Sequence, residues 1–351
     1  MVKKVAVLYG GRSGEHEVSL RSAAAVIDGL KQLDNIEVLP VFITKDGTWL
    51  LHGNRVAFLP DPNIGGLYLL EGESAGQVLT VDVIFPVLHG PLGEDGTVQG
   101  LLELARLPYV GAGVAGSAVG MDKILMKAIL REAGLPVADH IWFTAYGWAH
   151  GEQEYVTAVS EKLGYPCFVK PANLGSSVGV SKAYNSDELK AAVAEALQYD
   201  RRVLVEKMLD GLEIECSVLG NDDPQASLPG QIIPCNDFYD YRAKYLDDRS
   251  QLIIPAELPP KLTEKVRELA VKTFRAVDCA GYARVDFFVE VESGVVWVNE
   301  INTIPGFTEI SMFPKLWEAS GLPFPRLLQK LLDLAEERAK QKAMLKTEYA
   351  V

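Results

Sequence analysis

"VVWVNEINTIPGFTEISM", Val295–Met312, decides the reading of this chain. Its first half is apolar and β-branched, as a buried strand requires, yet it carries Glu300 and Asn302 two residues apart. Strand side chains alternate between faces, so this carboxylate and this amide share a face before Pro305-Gly306 turns the chain. Just upstream, "ARVDFFVE", Ala283–Glu290, sets Arg284 and Asp286 on one face in the same way. Two such strands side by side would gather Asp286, Glu300 and Asn302, with Arg284 beside them. Two carboxylates and an amide are hard oxygen donors suited to Mg2+, which takes few protein ligands plus phosphate oxygens. The plainer alternative is a strand pair with one polar face, but grouped acids repel one another unless a cation or an arginine joins them.

Working outward, "VKPANLGSSVGVSK", Val169–Lys182, has Lys170 closing a strand and a Gly/Ser loop containing Ser176 and Ser177. Small residues let backbone N–H groups and hydroxyls approach phosphate oxygens, so an anion site and an ordinary hairpin turn both fit. No Gly-Lys-Ser/Thr opens a helix here, which excludes a P-loop. "YGGRSGEHEVS", Tyr9–Ser19, is a second glycine turn after a strand; its Glu15, His16 and Glu17 suit either a substrate ammonium or a helix N-terminus. His89 in "LHGPLGEDG", Leu88–Gly96, ends an apolar strand, as a site residue or a loop-holding residue would. "VGAGVAGSAVG", Val110–Gly120, matches G-x-G-x-x-G at Gly111, Gly113 and Gly116. The compact βαβ unit of a dinucleotide site does not follow it, so the glycines read as packing and turn residues, with an oxidoreductase as the rival.

The N-terminal third alternates strand and helix ("KKVAVLYGG", "HEVSLRSAAAVIDGLKQL", "EVLPVFIT", "VDVIFPVLHG"), which predicts an α/β fold with an open parallel sheet binding ligand at its strand ends. "SAVGMDKILMKAILREAGL" predicts one helix ending at Gly134, followed by strands around a single helix, "SDELKAAVAEALQ". After Glu213 the chain is strand-rich, interrupted by a Tyr- and Asp-rich stretch, Asn236 to Arg249. The expected divisions are 1–117, 118–208 and 209–351.

With 34 Lys and Arg against 47 Asp and Glu, the net charge is −13. An acidic surface repels nucleic acid and anionic membranes, so an anionic substrate needs local cations or N–H donors. No apolar run reaches the ~18 residues of a membrane span, and the first is too short for a secretory leader. Cys167, Cys216, Cys235 and Cys279 are scattered, which disfavours a disulfide framework or a thiolate metal site and points to the cytoplasm.

Together "GGRSGEHEVSL", "LHGPLGEDGTVQG", "GAGVAGSAVGMDK", "VKPANLGSSVG", "FYDYRAKY", "ARVDFF" and "NEINTIPGFTEISM", in this order, resemble the D-alanine–D-alanine ligases of the ATP-grasp superfamily across nearly the whole chain. The resemblance implies a three-domain ATP-grasp fold with an N-terminal open parallel α/β domain, and ATP between the second and third domains. It implies Lys123, Lys170, Ser176 and Ser177 at the phosphates, Glu206, Lys207 and Leu209 at the adenine and Glu213 at the ribose. Asp286, Glu300 and Asn302 would hold Mg2+ or Mn2+, two ions in all, and a K+ requirement is compatible. Glu15 would meet the ammonium of the first D-alanine, with His89 also at substrate. Arg284 and the Gly306 backbone would face the acyl carbon, and Ser311 and Met312 the second carboxylate. Lys244 and Tyr245 would lie on a loop that closes the site. The implied activity is ATP-dependent synthesis of D-alanyl-D-alanine for peptidoglycan by a homodimer joined through its N-terminal domain. A D-alanine–D-lactate ligase is the nearest alternative; Tyr245 speaks for an amine acceptor. Glu309, close to the expected carboxylate site, departs from this logic unless it faces solvent.

Overall fold

The computed structural model describes residues 2–233 and 251–346. Lys244 and Tyr245, expected on a closing loop, and Cys235 lie outside the described residues.

Three sheets follow one another along the chain. The first has the order β6-β5-β4-β3-β2-β1-β7. Its strands are β1 (Lys3–Gly10), β2 (Ile36–Ile43), β3 (Trp49–Leu51), β4 (Asn54–Phe58), β5 (Gly66–Leu69), β6 (Val78–Thr80) and β7 (Val83–Val87). The parallel sheet expected from the sequence is limited to β2, β1 and β7; β3 to β6 extend it antiparallel. Connection length explains the difference. A parallel return needs a crossover of about a dozen residues. Helix α1 (His16–Leu30) supplies one between β1 and β2, whereas no loop from β2 to β6 exceeds eight residues. Beyond β7, Tyr109 adds only a single parallel bridge to Ile84. Helix α1 and the C-terminal helix α9 (Phe324–Ala343) cover one face, and α2 (Thr97–Leu104) covers the other.

The predicted long helix after Ser117 is two helices, α3 (Val114–Met121) and α4 (Lys123–Glu132). Asp122 between them is extended, and its carboxylate accepts from the N–H groups of Ile124 and Leu125, starting α4 afresh. That restart places Lys123 at the first turn of α4. Arg202 holds the same carboxylate.

The second sheet, β10-β9-β11-β8, is antiparallel: β8 (His140–Thr144), β9 (Cys167–Pro171), β10 (Ser181–Ala183) and β11 (Arg202–Lys207). Two helices, α5 (Ala145–Lys162) and α6 (Ser186–Ala196), pack on one face, not the single helix expected. Cys167, Val169, Val203 and Val205 point into that core. Phe168, Lys170, Leu204 and Glu206 therefore point the other way.

The third sheet, β15-β14-β12-β16-β17 with β13 paired to β12, contains β12 (Leu212–Gly220), β13 (Gln225–Ala226), β14 (Gly230–Ile233), β15 (Gln251–Ile253), β16 (Gly281–Glu290) and β17 (Val295–Asn302). Helix α7 (Pro260–Ala276) and α4 cover its apolar face, where Ile214, Cys216, Val285, Phe287, Val296 and Val298 meet Met126 and Phe274. Glu213, Glu215, Arg284 and Asp286 alternate onto the opposite face. After β17, the Ile304–Phe307 turn and helix α8 (Met312–Ala319) return to the first sheet. Ile304, Phe307 and Phe313 share a core there with Val5, Phe85 and Leu331. No helix among the described residues is long and apolar enough to cross a membrane.

Candidate active site

The free faces of the second and third sheets enclose a cleft of about 390 Å³. Phe168, Val180, Met208, Leu209, Ile232 and Phe288 give it apolar walls; its charged lining includes Lys123, Lys170, Glu206, Lys207, Glu213 and Glu300. The Gly175–Ser177 loop overhangs it, with Ser176 and Ser177 at φ +51° and +57°. This loop, not a regular hairpin, follows Lys170, because β10 begins only at Ser181.

Glu206 does not present a free carboxylate at the strand end. One oxygen lies 2.6 Å from Lys170 Nζ and the other 2.5 Å from Lys127 Nζ. Burial opposes its ionisation, but the two lysines outweigh that and hold its carboxyl down at about 2. Lys127 also donates to the Asn299 carbonyl at 3.0 Å, so one buried cation ties α4, β11 and β17 together. The sequence reading missed Lys127. Its signal was the i, i+4 spacing from Lys123, which puts both ammonium groups on one helix face.

A second, smaller cavity of about 90 Å³ shares Lys123, Gly175, Ser176 and Glu300 with the cleft. It brings together Glu15, His89, Arg284, Asn302, Gly306, Ser311 and Met312, which lie far apart in sequence. Across three strands the register sets Glu215 opposite Asp286 and Asp286 opposite Glu300; Ser217, Arg284 and Asn302 form the next rung. Arg284 donates to both Asp286 oxygens at 2.7 Å and lies 3.0 Å from Glu215. Lys123 Nζ donates to the Leu174 carbonyl at 2.5 Å and sits 3.8 Å from Glu300. Glu215 was also missed, although it follows Glu213 by two residues on a strand whose intervening residues, Ile214 and Cys216, are core.

A β-bulge aims Glu300. Phe287 pairs with Val298, but Asp286 pairs with Glu300, so Asn299 is the extra residue. Val296, Val298 and Ile301 are all buried on the core side, a spacing that breaks the two-residue period at Asn299. Without the bulge Glu300 would follow Val298 into the core.

Of the three N-terminal candidates only Glu15 reaches the cavity. It is buried, and Ser176 Oγ donates to it, linking the first sheet to the overhanging loop. Gly90 explains how Glu15 fits: at φ +77° a Cβ there would lie 2.5 Å from Glu15 Oε2. His16 bonds the Gly11 carbonyl through Nδ1 at 2.7 Å, and Glu17 pairs with Lys45 at the surface.

His89 is buried, and both ring nitrogens are engaged: Nδ1 lies 3.0 Å from the Ile304 carbonyl and Nε2 3.1 Å from Ser22 Oγ. Burial holds its pKa down at about 4, so the ring is neutral at pH 7. Glu94, also missed, accepts from Gly90 N–H at 2.7 Å and Ile304 N–H at 3.2 Å. Burial, with Glu15 close by, pushes its carboxyl up to about 8. Ser311 Oγ accepts from Thr308 N–H at 3.0 Å, while Met312 packs against Ile232. Glu309 is exposed, which removes the conflict with an acyl or carboxylate site.

The G-x-G-x-x-G stretch is a packing element. A Cβ on Gly116 would lie 2.5 Å from the Asp278 carbonyl, so the third glycine lets α3 touch the turn before β16.

The donor set fits a divalent cation. Asp286, Glu300 and Asn302 are all oxygen donors on neighbouring rungs. Among the described residues no three His, Cys, Asp or Glu side chains form a closed cage, so an ion here would rely on the Asn302 amide and on substrate oxygens.

Family models for the D-ala D-ala ligase N-terminus and C-terminus match residues 4–112 and 129–333. A D-alanine–D-alanine ligase from Acetivibrio thermocellus is 49% identical, with 96% of each chain covered. One from Solibacter usitatus is 50% identical, covering 97% of this chain and 98% of the relative. The solved D-alanine–D-alanine ligase of Coxiella burnetii superposes with a TM-score of 0.85 at 37% identity, covering 98% of this chain and 97% of that one. The VanG D-Ala:D-Ser ligase of Enterococcus faecalis gives 0.85 at 34% identity, covering 95% and 100%. These neighbours carry the ATP-grasp fold, and by both its family models and its relatives the chain belongs to the D-alanine–D-alanine ligase family.

Proposed function

We propose that the protein joins two D-alanine molecules at the expense of ATP, giving D-alanyl-D-alanine, ADP and phosphate. The observation that carries this is the junction of the two cavities. The larger has the apolar walls a base needs and lysines at its inner end; the smaller has acids, an arginine and a glycine turn; Lys123, Ser176 and Glu300 belong to both. A γ-phosphate reaching that shared wall would lie beside a D-alanine held in the smaller cavity.

Glu15 receives the ammonium of the first D-alanine, and the carboxylate of that D-alanine attacks the γ-phosphate and displaces ADP. Lys123 and Lys170 offset the charge on the moving phosphoryl group. Asp286, Glu300 and Asn302 would hold a divalent ion, whose positive charge would offset that of the phosphates. The amine of the second D-alanine, its carboxylate at Ser311 and Met312, then attacks the acyl phosphate. Arg284 and the Gly306 N–H stabilise the oxyanion that forms. Adenine lies along Glu206–Leu209, with Glu213 at the ribose. The overhanging 175–177 loop and the segment carrying Lys244 and Tyr245 keep water from the acyl phosphate.

The relatives near 50% identity are named as dipeptide ligases, which favours an amine acceptor over D-lactate. The setting is cytoplasmic synthesis of peptidoglycan precursors, by a homodimer joined through residues 1–117. The test is ADP release with single amino acids. D-Alanine should support turnover with formation of the dipeptide, L-alanine should not, and D-lactate should not replace the acceptor. Equal turnover with both enantiomers would defeat the reading.

A further inference from the structure

Phe307 N–H, at the end of the substrate turn, donates to Ser22 Oγ at 3.2 Å, and Ser22 is a fully buried residue of α1. The hydroxyl's other contact is His89 Nε2. The direction of this chain follows from the chemistry of its ends. The Ile304 carbonyl can only accept, so His89 Nδ1 carries the ring proton. A neutral ring then has a bare Nε2, which accepts from the Ser22 hydroxyl. Ser22 in turn accepts from Phe307 N–H through a lone pair. The relay begins at Ile304 and ends at Phe307, closing around Pro305 and Gly306. Glu94 holds the Ile304 N–H from the same side. Thr308 N–H is taken by Ser311 Oγ. Gly306 keeps the one N–H between Ile304 and Thr308 with no acceptor among the described residues, and Gly306 lines the smaller cavity.

We propose that Ser22 is a positioning residue for acyl transfer: with His89 it clamps both ends of the Ile304–Phe307 turn and so fixes the direction of the Gly306 N–H. This rests on the ligase reading above. Ser22 lines neither cavity, and His89 orients its hydroxyl. Loss of the hydroxyl would leave Phe307 N–H buried without an acceptor and free the turn to shift. Misplacement by a fraction of an ångström at a reacting centre is enough to slow chemistry substantially.

The experiment compares the full-length parent with Ser22→Ala, Ser22→Cys, which exchanges the hydroxyl for a weaker hydrogen-bonding thiol, His89→Ala and the Ser22→Ala/His89→Ala double variant. Dipeptide synthesis, nucleotide affinity and amide exchange at Phe307 are measured on each. The expected result is a kcat lower by about 10- to 100-fold in both Ser22 variants, nucleotide affinity within about twofold of the parent, and faster Phe307 exchange. The double variant should be no slower than the worse single one, because the two residues act as one chain. Parent-like kcat in either folded Ser22 variant, or losses that multiply in the double variant, would overturn the proposal while leaving the ligase reading intact. A parent that makes no dipeptide would overturn both.

Discussion

At the scale of single residues, the site depends on charges that are buried only because they are paired. Glu206 is the sharpest case, with a lysine on each oxygen. Its folded pKa of about 2 lies below the ordinary 4.5, so its ionised form stabilises the fold above pH 4.5. That contribution disappears as pH falls through about 2. Lys127→Met removes one of the two cations and leaves the carboxylate with Lys170 alone. The variant should lose up to about 3 kcal/mol at neutral pH, and its stability should fall less steeply on acidification. Urea unfolding at neutral and acid pH measures both. Parent-like stability and an unchanged acid slope would show that Lys127 does not carry this pair. Lys127 was hard to see in the sequence because a lysine on a helix is ordinarily solvent-facing; only the fold brings Glu206 against it.

At the scale of elements, the active face is made by strand register. The sequence made Asp286, Arg284, Glu300 and Asn302 legible because period-two alternation is a local property. It did not reveal the bulge at Asn299, since a bulge is defined by the partner strand. The core spacing Val296, Val298, Ile301 was its only trace. Likewise, "SAVGMDKILMKAIL" read as one helix because Asp122 looks like any exposed acid until its carboxylate is seen capping α4. The antiparallel half of the first sheet was missed because β3 and β6 are three residues each, too short to show a period. Deleting Asn299 should remove the bulge and leave Val298, Glu300 and Ile301 in regular alternation, with Glu300 still on the cleft face and Ile301 still in the core. The deletion variant should therefore fold with an unfolding midpoint near the parent's. A midpoint far below the parent's would show that Asn299 is not the extra residue of this strand.

At the scale of the whole molecule, the site belongs to no single sheet. Glu15, Ser22, His89 and Glu94 come from the first sheet's loops and α1, Lys170 and Ser176 from the second, and Arg284, Glu300 and Gly306 from the third and its following turn. The family motifs were readable in order along the chain, but their convergence was not, because contacts such as Ser176 to Glu15 and Ile304 to Glu94 join residues with no local relation. The packing of α9 on the first sheet and of the turn after β17 into the same core holds the arrangement together. Such a junction suits a reaction in which one cavity activates a carboxylate and its neighbour consumes the product before water does.

The two-step transfer leaves its mark on the oxygen atoms of the phosphate released. The enzyme is supplied with ATP and D-alanine whose carboxylate carries heavy oxygen, and the phosphate released is analysed by mass. Attack of the carboxylate on the γ-phosphate, followed by displacement of that phosphate by an amine, predicts one labelled oxygen in each phosphate for every dipeptide formed. Unlabelled phosphate accompanying dipeptide synthesis would contradict an acyl phosphate formed across the shared wall of the two cavities.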